Sequence, residues 1–322
     1  EQVNASCSFT LPNYTSLVAA TDNCDLSLTY TQVPAAGTVI SGHGTVQNVV
    51  ITVTDDNGNA TSCSFDVTLD DQIDPTITCA ANVNVDTDAS VCSATLVPSA
   101  PVFADNCIVD AVSYTVTGAT TDASALTGIN ILGNTTFNIG TSTVTYIVTD
   151  IAGNTATCAF DVVVTDNEDP IVTCIGDQTE SADAACMFTM ADYVPMIVAS
   201  DNCDMSLTYV QTPAAGSMVS GTQAVTIDVI DDAGNTTTCS FNVVVTDTTD
   251  PIITTCAPDV TELVDGSCEF TLPDYTSLVV ATDNCDLSLS YVQVPAAGTV
   301  ISGHGTVQNV VITVTDDNGN TT

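Results

Sequence analysis

Aspartate and cysteine are the residues of this 322-residue chain whose spacing could do chemistry. The tripeptide Asp-Asn-Cys stands at 22–24, 105–107, 201–203 and 283–285. The last three copies are preceded by Asp-x-x-Asp-Pro, at 71–75, 166–170 and 247–251, and every copy is followed by an Asp-containing turn with Asn-Gly or Gly-Asn. Carboxylate, amide and carbonyl oxygens on loops are what Ca²⁺ accepts, since it takes about six to eight oxygen ligands in a flexible geometry where Mg²⁺ demands a strict octahedron. The cysteines recur regularly, with no Cys-x-x-Cys pair and no accompanying histidine, so they point to disulfides formed in an oxidising compartment rather than to zinc. Ser, His and Asp are all present, but no order or spacing suggests a catalytic triad, and no enzyme activity is expected.

The acidic segments are expected to converge at one end of each module. The first module offers Asp22, Asn23, Asp55, Asp56 and Asn59, and the second offers Asp70, Asp71, Asp74, Asp105, Asn106, Asp150 and Asn154. The third offers Asp166, Glu168, Asp169, Asp201, Asn202, Asp231, Asp232 and Asn235, and the fourth Asp247, Asp250, Asp283, Asn284, Asp316, Asp317 and Asn320. Gathered carboxylates repel unless neutralised, and the chain has no cation of its own to do it: Lys plus Arg total zero and the formal charge is −39. A divalent ion, Ca²⁺, at each junction is the expected answer. The competing reading is that Asp and Asn sit in loops because they cap turns and tolerate unusual backbone angles. His43 and His304, each in a Ser-Gly-His-Gly turn, read as exposed turn residues.

The charge arises by deletion of bases, because the 39 acids are about 12% of the chain and 34 of them are Asp. Without cationic side chains, phosphate neutralisation and polybasic membrane attachment lose their basis, so nucleic acid is excluded as a partner. Lys nucleophiles and arginine fingers are excluded as well. Proteases that cut after Lys or Arg find no site. A hydrophobic content of 44% nevertheless supplies enough apolar surface for packed domains. No apolar run approaches the roughly 18 residues that span a bilayer, so no membrane insertion is expected in this segment.

The elements that must position these loops are strands. Val225-Thr226-Ile227-Asp228-Val229-Ile230 and Cys239 through Val245 alternate with period two. Val and Thr suit strands, and Pro-Ala-Ala-Gly and Gly-Asn stretches mark turns. Six or seven short strands in about 85 residues predict an all-β fold of tandem immunoglobulin-like β-sandwich modules in a linear rod. Spacings of 83, 96 and 82 residues between Asp-Asn-Cys copies divide the chain into modules at 1–69, 70–165, 166–246 and 247–322, the second carrying an insertion around Asp122 to Asn138. Residues 1–61 align without a gap with 262–322, with 52 of 61 pairs identical, which predicts a window onto a longer array that truncates the first module N-terminally and the fourth C-terminally.

Complete modules carry four cysteines: 79, 92, 107 and 158, then 174, 186, 203 and 239. Four cysteines allow three connectivities, and sequence cannot choose among them. A sandwich whose first and last strands run side by side favours first with fourth and second with third: Cys79–Cys158, Cys92–Cys107, Cys174–Cys239 and Cys186–Cys203, with Cys7–Cys24 and Cys268–Cys285 in the partial modules. Pairing of sequence neighbours is the alternative.

The ordered set Asp-x-x-Asp-Pro, Asp-Asn-Cys, Val144-Thr-Tyr-Ile-Val-Thr-Asp150, Ala152-Gly153-Asn154 and Cys158-Ala159-Phe160-Asp161-Val162 resembles the hyalin repeat module. The resemblance covers the chain four times over. It implies immunoglobulin-like modules of extracellular adhesion proteins, including giant repetitive cell-surface adhesins of Bacteroidota of the gliding-motility type, and it brings no catalytic residues. In the second module Ile108 stands where the others have Asp after the cysteine. The expected function is structural and adhesive: a disulfide- and calcium-stiffened stalk at the cell surface. Its partners would be neighbouring modules of the same chain, with surface glycans or other filaments beyond them. A calcium-dependent carbohydrate-binding module is the rival, weakened by the absence of Trp. A matrix or surface-layer fibre without a specific receptor is a third reading.

Overall fold

A computed structural model describes all residues 1–322, and the chain forms two compact units, Glu1–Glu168 and Asp169–Thr322. Both are tandem β-sandwiches. The only helical elements are three single 3₁₀ turns, at Thr15–Leu17, Val194–Met196 and Thr276–Leu278. No helix is long and apolar enough to cross a membrane.

In unit one, the larger sandwich is built on Val109–Gly118, Gly140–Asp150 and Thr155–Thr165, long strands in which Val, Ile, Thr and Tyr alternate. The alternation puts Val144, Tyr146 and Val148 fully inside, each with 0% exposure, against Val112, Phe137, Phe160 and Val162. Burying side chains of this size stabilises by roughly 1.5–3 kcal/mol each. The Tyr146 hydroxyl accepts the Leu132 N–H at 3.0 Å, which satisfies its polar end and ties down the inserted segment. Burial pushes the Tyr146 hydroxyl pKa up, partly offset by that bond. Val83–Asp86 completes the sheet as a parallel neighbour of Thr155–Thr165. The facing layer consists of the pairs Thr76–Thr78 with Val102–Ala104 and Ser93–Leu96 with Thr135–Asn138. The insertion therefore adds strand to both layers, since Asp122–Ala123 pairs with Val109–Gly118.

The smaller sandwich of unit one joins Thr29–Val33, Val46–Thr54 and Ala60–Thr68 in one sheet and Ser8–Thr10 with Val39–Ser41 in the other. Its core is Leu11, Tyr14, Val49, Ile51, Val67 and Leu69, and Cys107 of the larger sandwich packs against it. Ala60–Thr68 is exposed along most of its length, and Phe65 is held by edge-on contact with Tyr14 at 5.1 Å.

Unit two repeats the plan. Gln178–Ser181, Thr236–Thr246, Thr222–Ile230 and Thr208–Thr212 form a sheet over a core of Val225, Ile227, Val229, Cys239 and Val243. The following sandwich pairs Ser290–Val294 with Val311–Thr315 and Ile252–Thr255 with Val280–Thr282. A glutamine anchor recurs in both units. Gln211 accepts the Tyr193 N–H at 2.9 Å and donates to the Ala191 and Pro213 carbonyls at 2.8 and 3.1 Å, as Gln32 and Gln293 do in their own sandwiches.

The disulfides give the largest correction to the sequence reading. Cys79 bonds Cys158 and Cys174 bonds Cys239, joining first cysteine to fourth within a sandwich. The expected pairs Cys7–Cys24, Cys92–Cys107, Cys186–Cys203 and Cys268–Cys285 are not formed. Cys7 bonds Cys107 and Cys186 bonds Cys285, so second and third cysteines pair between consecutive sandwiches. In both bridges the Asp-Asn-Cys loop of the following sandwich reaches the cysteine turn of the preceding one, where the Asn106 and Asn284 amides donate to the Asn4 and Asp183 carbonyls. Cys239 is fully buried in its core, whereas Cys24, Cys63, Cys256 and Cys268 are exposed.

Candidate metal centres at the sandwich junctions

The linker between the two sandwiches of unit one turns at Asp71, which is 2% exposed. Two Asp-rich loops of the larger sandwich close on it. Asn106 donates its side-chain amide to Asp71 Oδ1 at 3.2 Å and to the Asn4 carbonyl at 3.3 Å, so it touches linker and preceding sandwich together. Asn154 donates to the Asp71 carbonyl at 3.1 Å. Asp105 folds its own loop by accepting the Cys107 N–H at 2.7 Å, which aims Cys107 at Cys7. Asp71 and Asp105 offer carboxylate oxygens within 4.8 Å of each other, with the Cys107 sulfur nearby. That sulfur is in a disulfide and does not act as a thiolate ligand.

Three oxygens of this junction are buried with no hydrogen-bond donor: Asp71 Oδ2, Asp105 Oδ1 and Asn106 Oδ1. A buried acceptor left unsatisfied costs about 1–3 kcal/mol, more when charged. Asp71 and Asp105 carboxylates close to each other, with buried oxygens that no donor satisfies, are the kind of donor set a hard divalent cation accepts.

The corresponding junction in unit two has more charge. Asp247, Asp283, Asp286 and Asp316 present oxygens within 4.8 Å of one another, and Asp247 and Asp316 are buried. Asp247 Oδ2, Asp283 Oδ2 and Asn284 Oδ1 again have no donor. Asn284 bridges as Asn106 does, donating to the Asp183 carbonyl at 3.0 Å. Asp283 accepts the N–H groups of Cys285 and Asp286 at 2.8 and 3.0 Å, an Asx turn that presents its other oxygen to the cluster. Burial works to raise the Asp316 carboxyl pKa, but hydrogen bonds from the Asn320 side chain and from the backbone of 318–320 outweigh it and hold the carboxyl below the ordinary aspartate value.

The acidic residues singled out from sequence divide into three groups. Asp71, Asp105, Asn106, Asp247, Asp283, Asn284 and Asp316 come together at the two junctions just described. Asp150 and Asp231 are buried but hold their own turns: Asp150 accepts from Ala152 and Asn154, and Asp231 from Asn235. Asn154 and Asn320 donate their side-chain amides to the Asp71 and Asp247 carbonyls. Asp70, Asp74, Asp169, Asp232, Asp250 and Asp317 are exposed, so each linker brings one buried carboxylate where two or three were expected.

In the first sandwich Asp22, Asn23, Asp56 and Asn59 are open to solvent, and the half-buried Asp55 is held by Asn59, whose side-chain amide lowers its pKa. In unit one Asp166 is buried and caps the Glu168 N–H at 3.2 Å, while Glu168 accepts from Ser90. In unit two Asp201 accepts the Cys203 N–H at 2.8 Å, beside Asn202, and keeps Oδ2 buried without a donor.

Two residues were missed. Asp286 joins the unit-two cluster and accepts the Asp317 N–H at 2.8 Å; its signal was the Asp after Asp-Asn-Cys, which Ile108 replaces in the other junction. His43 is not a bare turn residue, because its Nδ1 accepts the Asp71 N–H at 3.1 Å and so helps orient that aspartate.

Residues 70–164 match the HYR domain family. That matching segment holds the Asp71, Asp105 and Asn106 oxygens, so this junction lies where it meets the sandwich before it. The chain is 29% identical over 231 residues to hyalin of Strongylocentrotus purpuratus, covering 69% of this chain and 18% of hyalin. It is 32% identical over 153 residues to the serine-rich adhesin for platelets of Staphylococcus aureus strain MRSA252, covering 42% of this chain and 11% of the adhesin. The chain thus spans less than a fifth of the length of either relative. Among solved structures, extracellular cadherin domains 3–6 of protocadherin Gamma B2 align over 92% of this chain and 90% of that one, with 14% identity and a TM-score of 0.34.

Proposed function

We propose that this chain is a segment of an extracellular adhesive filament in which consecutive HYR-type sandwiches are locked together by Ca²⁺ and by disulfides that cross the junctions. The carrying observation is the recurrence of three donorless buried oxygens at both junctions: Asp71, Asp105 and Asn106 in one, Asp247, Asp283 and Asn284 in the other. A cation bound to oxygens from the linker and from the loop that reaches the preceding sandwich resists bending at that point. Asp286 and Asp316 add charge to the second site, which makes it the tighter of the two. Four modules, at 1–69, 70–165, 166–246 and 247–322, are the repeating unit of a stalk. Mechanism here means reach and stiffness, not chemistry on a substrate, and the chain is not an enzyme.

Disulfides of this density suit an extracellular, cell-surface location. A chain with no Lys or Arg is immune to proteases specific for those residues, and its uniform negative field keeps neighbouring filaments apart. Both properties suit the giant surface adhesins of gliding Bacteroidota, the setting we assign to it, with surface glycans or other filaments as partners. Small-angle scattering of the chain in Ca²⁺ and in chelator tests the reading. A larger maximum dimension and narrower conformational spread in Ca²⁺ supports it; identical profiles in the two conditions overturn it.

A further inference from the structure

The bond that crosses each junction and the donorless oxygens beside it lie on the same short loop. In unit two Cys285 is bonded to Cys186 of the preceding sandwich. Asp283 accepts the Cys285 N–H through Oδ1 at 2.8 Å and keeps Oδ2 buried without a donor. Asn284, between them, donates its amide to the Asp183 carbonyl at 3.0 Å and to the Cys285 sulfur at 3.3 Å, while its own Oδ1 is buried without a donor. The turn that offers Cys186 uses the same carbonyl, to which the Cys186 N–H donates at 2.9 Å. Unit one is built alike: Asp105, Asn106 and Cys107 take these roles, with Cys7 and the Asn4 carbonyl opposite them.

The oxygen set straddles two sandwiches. Asp247, buried with Oδ2 donorless, stands in the linker, whereas Asp283, Asp286 and Asp316 belong to loops of the following sandwich. With the S–S bond closed, loop 283–286 is fixed to the preceding sandwich before any cation arrives. With it open, the loop keeps the Asn284 hydrogen bond but gains freedom, and a cation must restrict that freedom on binding. Two events that order the same loop favour one another.

We propose that bridge and cation site at each junction form a redox-sensitive lock: Ca²⁺ protects Cys186–Cys285 and Cys7–Cys107 against reduction, and reduction of a bridge weakens Ca²⁺ at its own junction. The inference rests on the reading of these oxygens as Ca²⁺ ligands. The reductant is a dithiol. One of its thiolates attacks a bridge sulfur and releases the other cysteine, and its second thiolate then displaces the first cysteine. The bridge gains two electrons and two protons, and the reductant leaves as a disulfide. By reciprocity, the factor by which reduction weakens Ca²⁺ equals the factor by which saturating Ca²⁺ shifts the thiol–disulfide equilibrium toward the bond, about tenfold for a coupling of ordinary size.

The chain carries its own reference bridges. Cys239 of Cys174–Cys239 is fully buried in a sandwich core, and both sulfurs of Cys79–Cys158 pack against one. The test equilibrates the 322-residue chain in mixtures of reduced and oxidised dithiothreitol, with saturating Ca²⁺ or with chelator. Alkylation stops the exchange, and mass spectrometry reads the thiol fraction at each cysteine. In Ca²⁺ the ratio of reduced to oxidised form should fall about tenfold for the two junction bridges, with little change in the two reference bridges. Asp247→Asn, which keeps every sulfur, should abolish the shift at Cys186–Cys285 and spare it at Cys7–Cys107, and Asp71→Asn should do the converse. Calorimetric titration of the oxidised parent with Ca²⁺ runs alongside. Binding without a shift in either junction bridge, an equal shift in all four bridges, or a shift at Cys186–Cys285 that survives Asp247→Asn would each overturn the coupling while leaving the Ca²⁺ reading in place. Absence of binding would overturn both.

Discussion

Replacing Cys186 and Cys285 together by alanine removes the bridge that crosses the junction in unit two. The bond closes a loop of 99 residues. Loop-closure entropy for that length gives about 4–5 kcal/mol at 25 °C. If only the sandwich bearing Cys186 unfolds while its neighbour stays folded, the loop that matters is shorter by some forty per cent. The dependence is logarithmic, so the cost falls by only about 0.5 kcal/mol. Either route therefore predicts nearly the same loss. Neither cysteine is fully buried, so truncation itself adds little. With a urea m-value of about 2 kcal/mol/M, the midpoint of the transition involving unit two should fall by about 2 M. The assay is urea unfolding followed by far-ultraviolet circular dichroism, without reductant, on parent and double variant. A midpoint shift below about 0.5 M would refute the reasoning, since it would mean that the bridge constrains little of the unfolded chain.

Further expectations follow from single residues. Gln211→Ala deletes three hydrogen bonds around the Tyr193 turn and should cost about 2 kcal/mol in urea unfolding, whereas the exposed Gln72→Ala should cost little. Gly118→Ala places a Cβ at 2.4 Å from the Thr141 carbonyl oxygen at a φ of +103°, and should lower stability by about 3 kcal/mol or more, read as a fall in the melting temperature of unit one. Asp55 and Asp316 have carboxyl pKa values held below the ordinary aspartate value, so the stability they contribute is full above that value and is lost as pH falls through their folded-state pKa. Asp55→Asn and Asp316→Asn should each flatten the acid limb of a stability–pH curve below about pH 4 by lowering the neutral plateau toward the acid value; a neutral plateau and acid limb equal to the parent's in both variants would show the opposite.

Much of the fold was legible because two-residue periodicity is a direct imprint of a half-buried strand. Val225, Ile227 and Val229 are all at 0% exposure, on the face their alternation assigned. The junctions were legible in part. Asp71 and Asp247 were found because acidic loops repeat, yet nothing in Asp70-Asp71 or Asp247-Thr-Thr-Asp250 says which carboxylate turns inward; that is set by the Asn154 and Asn320 amides reaching the backbone carbonyls of Asp71 and Asp247. The cross-junction bridges were missed because connectivity was argued inside single modules. A second signal was available, an Asn or Asp three residues before Cys7, Cys186 and Cys268, which marks a tight turn that carries the sulfur outward. The Gln anchor was missed because a lone glutamine in a strand gives no periodic signal; only its recurrence before cis-proline at 34, 213 and 295 distinguishes it.

Calorimetric titration of the chain with Ca²⁺, repeated on Asp71→Asn and Asp247→Asn, tests the central claim most directly. Saturable binding to the parent is predicted, with each substitution removing or weakening one site. Free Ca²⁺ at 100 times the dissociation constant should stabilise the parent by about 2.7 kcal/mol. Absence of binding to the parent, or binding that neither substitution changes, would contradict the account.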